Sequence, residues 1–157
     1  MIKKIKLTQS KETFIDSEDY EKIKSYNWYY HSSGYAACKQ KINNIWKTIL
    51  LHRVIMNCPN NKQIDHINGN GLDNRKENLR ICTHAENGRN TKKRKGTTSK
   101  YKGIYWYKAL SKWSVRIRFN YKWIFIGYFN DEKEAAKAYN EKAKELFGKF
   151  AKLNIIG

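Results

Sequence analysis

The stretch QIDHINGNGLDNRKENLRICTHAENGRN, residues 63–90, carries most of the information in this 157-residue chain. Asp65-His66 follow directly on the apolar Ile64. Asn68-Gly69-Asn70-Gly71 and Asp73-Asn74 then supply residues that tolerate turn and left-handed geometry. Leu79, Arg80 and Ile81 alternate as a second strand. Thr83 with Glu86 three residues on makes a capping box, which predicts a helix over about residues 84–90. The local order is strand, loop, strand, helix. It sets a carboxylate and an imidazole at a strand end, facing Asn87 on a helix packed across the hairpin. Such a pocket is rich in oxygen donors and holds one base. Hard Mg²⁺ favours those ligands and keeps several waters, leaving room for a phosphate oxygen.

Working outward, the charge names the class of partner. Lys and Arg total 32 against 14 Asp and Glu, a net +18. Counterion release makes a polyanion the expected ligand, nucleic acid before an anionic membrane surface. Residues 1–90 carry net +6 and residues 91–157 net +12, so two units with different tasks are expected. Residues 91–100 are polar, basic and without apolar periodicity, a linker in which Lys92, Lys93, Arg94 and Lys95 suit a run of phosphates. No apolar run approaches a membrane span, and the first residues lack a secretory pattern, so an intracellular, cytoplasmic location is expected. Cys38, Cys58 and Cys82 are widely spaced without a C-x-x-C pair, which argues against a disulfide framework and against zinc.

Residues 1–50 read as short strands near 2–7, 13–15, 28–31, 35–39 and 46–50, with a helix opening at Ser17 or Asp19 and no catalytic signature. Residues 51–57 suit a short helix, and Cys58-Pro59-Asn60-Asn61 a turn. Beyond the linker, aromatic and β-branched runs at 101–107, 113–119 and 123–129 predict three strands, followed by a helix over 131–147 that Asp131 and Glu134 cap and Gly148 ends. Trp113, Val115 and Ile117 should face that helix, joined by Ile104, Ile124 and Ile126 and covered by Ala135, Ala138, Tyr139, Ala143 and Leu146. The opposite face would gather Lys102, Tyr105, Tyr107, Arg116, Arg118, Trp123 and Phe125, a cationic and aromatic surface suited to nucleic acid. The fold class is therefore α+β: a small-strand N-terminal region (1–50), a strand-strand-helix unit (51–90), a basic linker (91–100) and a three-stranded antiparallel sheet on one helix (101–157).

Residues 51–90 resemble the HNH nuclease motif, the ββα-metal fold. In that family an Asp-His pair ends the first strand, an Asn lies about a dozen residues later, and a His or Asn follows on the helix. Asp65-His66, Asn78 at twelve and Asn87 at twenty-one residues from His66 fit these places, and Leu51-His52-Arg53 matches the upstream histidine, which seldom acts in catalysis. The resemblance implies that Asp65 and Asn87 are metal ligands, His66 the general base, and Asn78 the residue that orients loop and base. It departs from the family in ending on Asn87 rather than His, as in the homing-type branch, which leaves Mn²⁺ open beside Mg²⁺.

The C-terminal region resembles the APETALA-two/ethylene-response-factor DNA-binding domain through Tyr101-Lys102-Gly103-Ile104, Lys112-Trp113, Arg116-Ile117-Arg118, Gly127-Tyr128-Phe129 and Glu134-Ala135-Ala136-Lys137-Ala138-Tyr139-Asn140. That family lays its sheet in the major groove. Aromatic residues replace several family arginines here, and Arg116 stands at an acidic position, so a target sequence does not transfer. Together the resemblances imply a mobile HNH endonuclease of the phage and intron-associated kind, acting on double-stranded DNA without a small-molecule cofactor. One metal site implies that a monomer nicks. The alternatives are a DNA-binding regulator whose nuclease unit is inactive, against which intact Asp65, His66 and Asn87 speak, and an RNA-directed role.

Overall fold

The structure, a computed structural model, describes residues 1–91, 93 and 96–157. The chain divides into two compact units, Met1–Asn87 and Gly88–Gly157. The first holds 14 Lys and Arg against 9 Asp and Glu, net +5; the second holds 18 against 5, net +13.

In the first unit, β1 (Ile2–Lys6) and β2 (Glu12–Asp16) form an antiparallel hairpin that turns through left-handed Gln9 and Ser10. A 3-10 turn at Ser17–Asp19 leads into α1 (Tyr20–Ile23). β3 (Tyr29–Tyr30), β4 (Ala36–Ile42) and β5 (Ile45–Leu50) make a three-stranded antiparallel sheet in that order, and α2 (Leu51–Ile55) follows directly. β6 (Gln63–His66) pairs with β7 (Leu79–Cys82), setting Asp65 opposite Arg80 and His66 opposite Leu79. The helix α3 (His84–Arg89) begins as the capping box requires: Thr83 N donates to Glu86 Oε2 at 2.7 Å, and Glu86 N to Thr83 Oγ1 at 3.2 Å.

One core joins everything in this unit. Ile15, Ile23, Ala36 and Cys38 from the first 50 residues pack with Leu51, Ile55, Ile64 and Leu79 from the rest. Truncating Leu51, which is fully buried, to Ala would cost about 2–5 kcal/mol through lost transfer energy and a residual cavity. The N-terminal hairpin also reaches the loop between β6 and β7. Phe14 N donates to Leu72 O at 2.9 Å and Asn74 N to Phe14 O at 2.7 Å, a short parallel bridge that fixes the loop backbone.

In the second unit, β8 (Ile104–Tyr107), β9 (Lys112–Phe119) and β10 (Lys122–Phe129) form an antiparallel sheet in the order β10-β9-β8, and α4 (Glu132–Phe147) covers one face. Asp131 Oδ1 accepts from Glu134 N at 2.8 Å, and Gly148 ends the helix at a positive φ of 52°. Ile104, Val115 and Ile117 meet Ala135, Ala136, Tyr139, Ala143 and Phe147. The buried stripe thus runs through Ala136 and Phe147; the expected Leu146 is half-buried and packs against it, and the expected Ala138 is half-buried. At 100° per residue Leu146 falls between Ala135 and Tyr139 on the stripe, whereas Ala138 lies about 100° from its Ala135–Tyr139–Ala143 centre. Gly103, at φ +80°, lies under that helix: a Cβ there would sit 2.2 Å from Tyr139 Cε2. Among the described residues, no helix is long and apolar enough to cross a membrane.

Candidate functional site

The loop between β6 and β7 is built from buried polar residues. Asp65, His66, Asp73, Asn74 and Asn78 are all buried, although burying a polar group costs free energy unless it finds a partner. Each partner can be named. Asn78 Oδ1 accepts from Asn68 N at 2.9 Å and its Nδ2 donates to Asp73 O at 2.8 Å, so this one amide pins both ends of the turn. Asn68 Nδ2 donates to Asp73 Oδ2 at 2.8 Å, and Arg75 Nε donates to Asp73 Oδ1 at 2.7 Å. The Arg75 guanidinium holds the Asp73 carboxyl below the usual carboxylate range.

His66 ends β6, and its ring is oriented by a chain of hydrogen bonds. Its Nε2 lies 3.2 Å from Asn74 Oδ1. Asn74 Nδ2 donates to Thr13 Oγ1 at 2.7 Å, and Thr13 Oγ1 donates to Leu72 O at 2.8 Å. Because the hydroxyl proton goes to that carbonyl, Thr13 receives from the amide nitrogen, which turns the Asn74 oxygen toward His66. An amide oxygen only accepts, so the imidazole proton sits on Nε2 and the lone pair on Nδ1. Burial lowers the His66 pKa against the opposing pull of the Asn74 bond, Asp65 and Asp73. At neutral pH the ring is therefore in its basic form.

Two aromatic rings close the pocket. Tyr35 lies 5.6 Å from the His66 ring and 5.0 Å from His52, and the two imidazoles meet edge to face at 5.1 Å. Burial first, then His66 and Arg53, push the pKa of His52 down to about 3, and its Nδ1 has no hydrogen-bond partner among the described residues. The upstream histidine thus packs edge to face, as a neutral ring, against His66. Gly71 completes the wall: a Cβ there would lie 2.5 Å from Gly34 O and 2.7 Å from Tyr35 Cδ1.

The two expected metal ligands lie on one side of β6. Gln63 and Asp65, two residues apart, share a face of the strand, and Asn87 Nδ2 donates to Gln63 Oε1 at 2.8 Å from α3. Arg80 Nε donates to Asp65 Oδ2 at 2.7 Å and orients the carboxylate from the neighbouring strand. Asp65 and the amide oxygen of Asn87 are hard donors, and a site with two such ligands suits a hydrated Mg²⁺ ion. Among the described residues, no three His, Cys, Asp or Glu side chains converge as a cage. Sequence reasoning missed Asn74, Thr13, Arg80 and Tyr35. Asp73-Asn74 was visible as turn chemistry, but a bond to Thr13, 61 positions away, has no local signal.

In the second unit the open face of the sheet carries the expected surface. Trp123 pairs with Arg118, Phe125 with Arg116 and Tyr105 with Ser114 across the strands, so these side chains share one face. The Arg116 guanidinium lies 4.6 Å from the Tyr105 ring centre and 4.5 Å from that of Trp123. Tyr107 stacks on Tyr128 at 5.5 Å, and Tyr128 stays on this face because a bulge between Phe125 and Gly127 resets the alternation. Lys102 is half-buried, and its Nζ donates to Arg89 O at 3.0 Å and Thr91 O at 2.7 Å, which together with burial lowers its freedom to reach a ligand. Its pKa falls to about 8 through burial and the nearby Lys152. Lys93 is half-buried; Lys92, Arg94 and Lys95, expected phosphate contacts, lie outside the described residues.

Comparison with protein families matches residues 50–89 to HNH endonucleases. An uncharacterised HNH endonuclease of Acanthamoeba polyphaga mimivirus is 30% identical over 149 residues, 91% of this chain and 74% of that protein. Protein 3.8 of Escherichia phage T7 is 42% identical over 55 residues, 35% of this chain and 46% of that protein. A transcription repressor of Arabidopsis thaliana, named for its AP2/ERF and B3 domains, is 34% identical over 74 residues, 47% of this chain and 20% of that protein. No solved structure matches.

Proposed function

The chain belongs to the HNH endonuclease family and is a nuclease, and from that premise we propose that it is a metal-dependent, site-selective DNA endonuclease of the homing type, with the ββα-metal arrangement at residues 63–89. His66 acts as the general base: its Nδ1 accepts a proton from a water, and the oxygen attacks the phosphorus in line with the leaving group. The bond from phosphorus to O3′ breaks, O3′ takes up a proton from solvent, and the products carry 3′-hydroxyl and 5′-phosphate ends. Asp65 and Asn87 would hold Mg²⁺, or Mn²⁺ in its place, which supplies charge stabilisation at the scissile phosphate when bound. Asn78 keeps the loop in shape, and Asn74 keeps the ring in the required tautomer.

The observation that carries the reading is the His66–Asn74–Thr13 chain, because it presents a neutral, oriented imidazole at a strand end beside a carboxylate. Unit two supplies the DNA surface through Arg116, Arg118, Tyr105, Tyr107, Trp123 and Phe125, a reading that the partial likeness to an AP2/ERF-domain protein supports. As a monomer with one metal site the protein nicks. The test is nicking of supercoiled plasmid by purified protein with Mg²⁺ or Mn²⁺, beside an EDTA control and His66→Ala. Metal-dependent nicking lost in that variant is the expected result. Tight duplex binding without cleavage under either metal would favour a regulator instead.

A further inference from the structure

The hairpin of β4 and β5 runs past the core. Ala36, Ala37 and Cys38 at its base are buried, whereas residues 39–41 and 45–48 are exposed on both sides of the ribbon. Its turn is tight, with Asn43 and Asn44 both left-handed at φ 50° and 62°. A two-stranded ribbon covered on neither face gains little from burial, so its composition answers to something outside the fold. That composition is cationic and apolar at once. Among the described residues Lys39, Lys41 and Lys47 make no ion pair, and Trp46, paired across from Lys41, is 67% exposed. From residue 22 to residue 64 the chain has seven Lys and Arg and no acidic residue at all.

We infer that the β4–β5 ribbon is a second DNA-contacting element, one that enters the major groove of duplex DNA beside the bond that is cut; the inference rests on the endonuclease reading above. The ribbon's two strands stand about 4.8 Å apart, and a B-form major groove about 12 Å wide admits such a ribbon. Strand alternation puts Tyr35, Lys39 and Lys41 on one side, together with Trp46 and Thr48 of β5. Tyr35 packs against His66. Lys39 and Lys41 therefore lie about 13 and 20 Å along the strand from the base, at roughly 3.3 Å per residue. Those distances match phosphates about four and six base pairs from the scissile bond, at about 3.4 Å per nucleotide of one strand. Trp46 at the tip offers a ring to sugars or to thymine methyl groups.

The test compares full-length wild type, Lys39→Gln/Lys41→Gln/Lys47→Gln, Trp46→Ala, and a charge-matched control, Lys133→Gln/Lys137→Gln/Lys144→Gln, drawn from exposed positions of α4. Affinity for a labelled 30-base-pair duplex of random sequence is measured from 50 to 200 mM NaCl. The ribbon variant should weaken binding about tenfold at 100 mM and make the log–log salt slope shallower by about 2 to 3. Trp46→Ala should weaken binding about fivefold with the slope unchanged. Duplex RNA, whose A-form major groove is too narrow to enter, should not distinguish the ribbon variant from wild type. Equal losses in the ribbon and α4 variants, no loss in the ribbon variant, or equal losses on duplex RNA would overturn the inference. Failure of wild type itself to bind or cut duplex DNA would overturn the endonuclease reading instead, a result separable from the other three.

Discussion

The β6–β7 loop and the open face of the C-terminal sheet both gather polar and charged residues, yet they treat them in opposite ways. In the loop, Asp65, His66, Asp73, Asn74 and Asn78 are buried and each is tied to a named partner. On the sheet, Arg116 and Arg118 are exposed among aromatic rings. On the proposed function the contrast follows from the work asked of each. A base must hold one tautomer and one position to within a fraction of an ångström, and only a satisfied, water-excluded network achieves that. A surface for a polyanion works by charge and adaptable contact, and burial would defeat it.

The largest effect expected is at His66, the proposed base. His66→Ala should lower the single-turnover cleavage rate about a thousandfold with duplex affinity unchanged, measured at saturating enzyme. A matching fall in affinity would erase the distinction between the two regions. Gly71→Ala comes next, because the added Cβ drives into Gly34 O and the Tyr35 ring that packs on His66. A loss of about 2–3 kcal/mol of unit-one stability, seen by thermal unfolding, should accompany a cleavage rate reduced by at least tenfold. Asn74→Ala removes the acceptor beside His66 Nε2 and the donor to Thr13 Oγ1. It should reduce cleavage by about 10- to 100-fold at a cost of about 1–3 kcal/mol in stability. Wild-type cleavage in that variant would show that the ring needs no tether.

The proposed DNA-contacting face gives smaller effects. Arg116→Ala should weaken duplex binding by about 1–3 kcal/mol with the saturated cleavage rate intact, as read by a titration at fixed salt. The last effect is confined to acid pH. His52 is held at about 3, while an unfolded histidine titrates near 6.5, so the unfolded chain binds the extra proton between those values. Stability is therefore full above pH 6.5 and declines as pH falls toward 3, by up to about 1.4 kcal/mol per unit. His52→Phe should flatten that acid limb in denaturant titrations at pH 4 to 7. An unchanged limb would mean that the buried imidazole carries no such penalty.

Local chemistry was legible in the sequence to the level of single hydrogen bonds. The Thr83–Glu86 and Asp131–Glu134 caps stand as their spacing predicts, and the strands of both units fall within a few residues of their apolar patterns. Periodicity located the packed face of α4 but included Ala138 and left out Ala136 and Phe147, since an alanine-rich helix offers little contrast between neighbouring stripes. What escaped were contacts between distant segments. Thr13 reaching Asn74, Phe14 bridging the loop, and Tyr35 closing over His66 depend on how one core folds residues 1–50 around the rest, and no spacing rule encodes that. The bulge at Phe125/Gly127 escaped for a related reason: an isolated glycine in a strand signals a break without saying which face follows.

The separation of catalysis from binding is tested most directly by measuring two quantities on the same duplex substrate for wild type, His66→Ala and Arg116→Ala/Arg118→Ala: the dissociation constant without metal, and the cleavage rate at saturating enzyme with Mg²⁺. The account predicts that His66→Ala loses the rate and keeps the affinity, while the arginine variant loses affinity at least tenfold and keeps the rate. Variants in which both quantities fall together, whichever unit is changed, would contradict it.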